Sequence, residues 1–112
     1  MFTNQSKVIE IGNKKVIDYE DIKPILNPTQ SYDLEKVLRI TPAKNRIETA
    51  LGFTGLSKKD WFIDSGVIQD WDRDKSYITR WLSKDIRLPL GIAFRLSKVL
   101  GVSCEILFED YA

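Results

Sequence analysis

Apolar residues recur along this chain with two different periods. Between Lys7 and Tyr19, β-branched residues bracket a Gly12-Asn13-Lys14 turn signal, with Val8, Ile9 and Ile11 before it and Val16 and Ile17 after it. The pattern predicts a small β-hairpin. A two-stranded hairpin is marginal alone, so it is expected to pack within the subunit or to pair with another chain. Pro24 and Pro28 exclude a long helix from Glu20 to Gln30, and Asn27-Pro28-Thr29-Gln30 reads as a turn.

From there the period becomes helical. Ser31 is placed to cap a helix running to Ile40 with the stripe Leu34, Val37 and Leu38. Thr41-Pro42 opens a second helix that turns Ile47, Ala50 and Leu51 inward and closes at Gly52 or Gly55. Ser57 caps a third, with Asp60 in its first turn and Gly66 as a left-handed stop. Ile68 to Arg73 reads as a turn whose Trp71 either plugs a gap between helices, the favoured reading, or stands exposed as a partner contact. A helix from about Leu90 to Leu100 presents Ala93, Leu96, Val99 and Leu100 and stops at Gly101, and Ser103 caps a last short helix to Phe108.

Between that turn and that helix lies the octet Ser76-Tyr77-Ile78-Thr79-Arg80-Trp81-Leu82-Ser83. Its helical spacing sends Tyr77, Ile78, Trp81 and Leu82 to one side and leaves Lys75, Ser76, Thr79, Arg80 and Ser83 on the other. The polar side is rich in donors that reach phosphates and base edges, which suits the DNA major groove. Helix, glycine-containing turn, helix is the helix-turn-helix order.

At these residues the chain resembles the Cro and phage-repressor type of helix-turn-helix domain. The resemblance is carried by Leu56-Ser57, Gly66-Val67, Ile78-Thr79-Arg80-Trp81, Arg87-Leu88-Pro89, Leu96 to Ser103 and Leu107-Phe108, over roughly residues 42 to 109. Three positions depart from it. Phe62 stands where the family usually has a small alanine, Leu82 where an acidic residue usually follows the tryptophan, and the connection from Ile68 to Arg73 is longer than the tight turn expected of the motif.

The fold implied is mainly α, a lambda-repressor-like bundle of about five helices with a small N-terminal β-hairpin. Residues 1–40 would form an N-terminal extension and residues 41–112 the helix-turn-helix domain. The resemblance implies a sequence-specific DNA-binding transcriptional regulator, a repressor of phage or mobile-element type, that binds double-stranded DNA as a homodimer. It implies base-edge contacts for Lys75, Ser76, Tyr77 and Arg80, and phosphate contacts for Lys58, Thr79, Ser83, Lys84 and Arg87. The alternative is a protein-interaction module on the same fold, antitoxin-like or anti-repressor-like, with a protein partner.

Charge sharpens this picture locally rather than globally. Seventeen Lys and Arg against 16 Asp and Glu leave a formal net charge of +1, so the whole chain carries no basic signature. Between Arg73 and Arg87, however, five basic residues face two acidic ones, and that excess coincides with the motif. Asp70 and Asp72 beside it would repel phosphate.

Catalysis finds little to work with. The chain has no histidine to serve as base for a Ser or Cys nucleophile, and no carboxylates at metal-ligand spacing, so neither enzyme activity, metal nor cofactor is expected. Cys104 is the single cysteine, which excludes an intrachain disulfide and suits packing more than reactivity. No apolar run has signal-peptide character or transmembrane length, so a cytoplasmic protein with no membrane contact is expected.

Overall fold

Capping chemistry fixes most of the element boundaries. The computed structural model describes the backbone of residues 8–11 and 14–111 and the side chains of residues 18–111. Strand β1 (Val8–Ile11) pairs antiparallel with β2 (Lys14–Ile17), Val8 opposite Ile17 and Ile11 opposite Lys14. The Gly12-Asn13 turn and the segment before Val8 lie outside the described residues. The rest of the described residues are mainly helical.

Helix α1 (Pro28–Arg39) begins four residues earlier than a Ser31 cap would place it. Asn27 is the true cap: its side chain accepts from Gln30 N while Gln30 Oε1 accepts from Asn27 N, and Pro28 fills the first helical position, where its missing N–H costs nothing. Ser31 is instead buried and donates its hydroxyl to the Leu100 carbonyl at 3.1 Å. Thr41 also serves the preceding helix, donating to Val37 O at 2.7 Å, so a 3-10 turn at Ala43–Asn45 precedes α2 (Arg46–Thr54). Gly55, at φ 71°, closes α2.

Helix α3 (Lys58–Asp64) starts at its Ser57 cap, which accepts from Asp60 N at 3.1 Å. Helix α4 (Trp71–Leu82) starts well before the octet and takes in part of the expected turn. Asp70 caps it by accepting from Arg73 N, and Asp72 and Asp74 place negative charge at the positive end of the helix dipole. The connection from α3 to α4 therefore spans residues 65–70, and Trp71 is a helical residue packed half-buried against the core. Helix α5 (Leu90–Leu100) and the short α6 (Cys104–Leu107) follow, then a 3-10 turn at Glu109–Tyr111.

One core gathers Leu34 and Leu38 of α1, Ala50 of α2, Trp61 and Phe62 of α3, Ile78 of α4, Leu96, Val99 and Leu100 of α5, and Leu107 of α6. Each such Leu or Ile contributes about 1.5–3 kcal/mol by leaving water. Leu34 and Leu38, from the segment before residue 41, thus share their core with the helices that follow it. The approach of α1 to the end of α5 is close: Gly101 sits at φ 70°, and a Cβ there would stand 2.4 Å from Ser31 Oγ. Glycine is required on both counts. Buried Trp61 ties α3 to α5 by donating Nε1–H to Leu96 O at 2.8 Å.

Candidate nucleic-acid interface

Helix α4 has 12 residues and so is roughly 18 Å long. Ile78 is 1% exposed and fixes which side faces the core. Trp81 and Leu82 flank it, half-buried. Lys75, Ser76, Thr79, Arg80 and Ser83 are all exposed, and their spacing places them on one continuous face. Tyr77, grouped with the core by spacing alone, is 54% exposed and lies over Trp81 with ring centroids 5.9 Å apart. It edges the polar face.

The two aromatic side chains Phe62 of α3 and Trp81 of α4 meet between the helices. They stack with centroids 6.4 Å apart and planes 9° from parallel, so a large side chain fills the space where a small one would bring the helices together. Leu82 packs against the core, and its carbonyl accepts from the Tyr111 hydroxyl at 2.7 Å.

Of the nine candidate contacts, the structure brings three from two separate helices to one place. Lys58, Thr79 and Ser83 line a cleft whose floor is Trp71, Ile78 and Leu82. The two hydroxyls donate to backbone, Thr79 to Lys75 O at 3.1 Å and Ser83 to Arg80 O at 3.3 Å. Their oxygens are available as acceptors, and donating to an anion requires each hydroxyl to rotate.

The other two candidates for phosphate lie apart. Lys84 adopts φ 68° just past the end of α4 and directs its ammonium to the Asp110 carboxylate and over the Tyr111 ring, 5.0 Å from the centroid. The hydrogen bond to Asp110 raises the lysine's pKa above its ordinary value. Arg87 lines a different groove, between α5 and α6, together with Leu88, Leu90, Phe94 and Cys104.

Ion pairing also redistributes the local charge. Arg73 gives both Nε and Nη2 to Asp74, at 3.1 and 3.0 Å, and those hydrogen bonds raise its pKa. With Lys84 held as well, the cations of this stretch that form no ion pair with a described residue are Lys75, Arg80 and Arg87. The free positive charge on α4 is therefore concentrated at Lys75 and Arg80, on the polar face.

Several contacts here leave no mark in the sequence. Arg46 is 9% exposed, donating to Thr41 O and Ile106 O at 2.9 Å each and pairing with Glu109 at 2.5 Å. It fastens the start of α2 to the C-terminal turn. Burial pushes the Cys104 thiol above its ordinary pKa, against a smaller opposing effect of the Ser97 hydroxyl, which leaves it a poor nucleophile. Among the described residues no three His, Cys, Asp or Glu side chains are grouped to hold a metal ion, and no helix is long and apolar enough to cross a membrane.

Set against protein families, curated proteins and solved structures, the chain matches none of them. What the polar face can do must be read from its own geometry.

Proposed function

We propose that this chain is a sequence-specific DNA-binding transcriptional regulator of the lambda-repressor-like kind, a repressor, and that α4 enters the major groove. The observation that carries the reading is the polar face of α4: Lys75, Ser76, Thr79, Arg80 and Ser83 exposed together above buried Ile78, with Lys75 and Arg80 free of ion pairs to described residues. A helix fits a groove about 12 Å wide, and an arginine on its outer face can give two parallel hydrogen bonds to a guanine. Lys75, Ser76 and Tyr77 flank Arg80 as further base contacts. Lys58, Thr79 and Ser83, at one cleft, form the phosphate-holding set; Lys84 and Arg87 are flanking cations.

A homodimer would present two such helices to half-sites about 34–36 Å apart. Binding of the full chain to a mixed-sequence duplex, titrated against KCl, tests the reading. The expected result is an affinity that falls steeply, log K dropping by about 0.9 per decade of salt for each phosphate neutralised. A flat response would sink it.

A flat response would also bring forward the second reading, a protein-interaction module. That reading is favoured by the groove between α5 and α6, where Leu90 is 65% and Phe94 44% exposed beside Leu88 and Ala93, with Arg87, Glu105 and Glu109 also in the lining. Exposed apolar residues clustered at a groove mark interaction surfaces.

A further inference from the structure

Among the described residues Lys84 is the one non-glycine with positive φ, and its side chain reaches the Glu109–Tyr111 turn. The turn itself is well anchored. Tyr111 donates its hydroxyl to Leu82 O at 2.7 Å, at the last residue of α4, and meets Phe108 edge-on with centroids 5.5 Å apart. Phe108 is 6% exposed and stacks on Trp61. Asp110, between these anchors, is thus a carboxylate held in place beside the end of α4.

We propose that Asp110 holds Lys84 as an internal stand-in for a DNA phosphate, so that Lys84 engages DNA only by exchanging one anion for the other. The proposal rests on the DNA-binding reading and deepens it, because it names a residue that sets affinity without touching DNA. The anion on offer is chemically similar in both states: a carboxylate oxygen in the free protein, a phosphodiester oxygen in the complex. Salt weakens the Lys84–Asp110 pair that is broken as well as the phosphate pair that replaces it. In the native chain Lys84 therefore adds little to the salt response. Remove the Asp110 charge, and Lys84 is released to count as a full phosphate contact.

The test compares the native chain with Asp110→Asn, Lys84→Met and the double variant, on one duplex across a range of KCl, with thermal melts confirming that each is folded. Asp110→Asn is expected to bind about two- to fivefold tighter at low salt, the size of one exposed ion pair. Its slope should be steeper by about 0.9. The double variant should bind no tighter than Lys84→Met alone. A gain from Asp110→Asn that persists without Lys84 would show only the loss of a negative charge near DNA and would overturn the proposal. So would unchanged affinity in Asp110→Asn when the native chain binds. If neither protein binds DNA, the DNA-binding reading itself fails and takes the proposal with it.

Discussion

Trp61→Ala is expected to cost about 3–5 kcal/mol, a large share of the total stability of about 5–15 kcal/mol for a domain of this kind, and to lower the unfolding temperature sharply. Three kinds of contact are lost together. Trp61 is fully buried, stacks on Phe108 with centroids 6.2 Å apart, meets Phe62 edge-on at 5.5 Å, and donates to Leu96 O. The side chain links α3, α5 and the C-terminal segment, so the cavity cannot close by moving one helix. Thermal unfolding followed by circular dichroism reads the effect. Trp61→Phe retains an aromatic ring but loses the indole hydrogen bond to Leu96 O and part of the buried ring volume, and should cost about 1–3 kcal/mol. Equal stability of Trp61→Ala and the native chain would mean that this packing is misplaced.

Arg80→Ala has the largest expected effect on DNA. It should weaken the specific complex by about 1–3 kcal/mol and relax discrimination at one or two base pairs, while leaving folding unchanged because the side chain is exposed. Lys58→Ala is the matched control. Placed at the cleft with Thr79 and Ser83, it should weaken binding to all sequences alike and reduce the salt slope by about 0.9. Competition binding against single-base-pair variants of one site separates the two. Arg80→Ala with native discrimination at every position would mean that α4 does not read bases.

The parts of this fold that the sequence announces are those with a local physical cause. Stripes at helical spacing place Leu34, Leu38, Ala50, Ile78, Leu96 and Leu100 in the core, and all are buried. Gly66 and Gly101 are expected to stop their helices, and both have positive φ. The start of α4 escapes a reading by periodicity because Trp71-Asp72-Arg73-Asp74 has no apolar period. The signal it does carry is electrostatic: a capping Asp70 followed by acids in the first turn. Asn27-Pro28 likewise looks like a turn in sequence and proves to be a cap and a first helical position.

Contacts between distant residues leave no such signal. Lys84 meets Asp110 26 positions away, and Arg46 meets Glu109 63 positions away. Neither pair has a periodicity to betray it. Their consequence for the surface is substantial, since the local excess of positive charge counted along the sequence includes Arg73 and Lys84, both of which the fold pairs with carboxylates. What remains at the polar face is Lys75 and Arg80.

Selection of a random duplex library on the purified chain, carried out at two salt concentrations, asks most directly whether α4 reads DNA. Enrichment of one palindromic site, with half-sites about one helical turn apart and an affinity that falls with salt, is the predicted result. Recovery of the unselected library at both salt concentrations would contradict it.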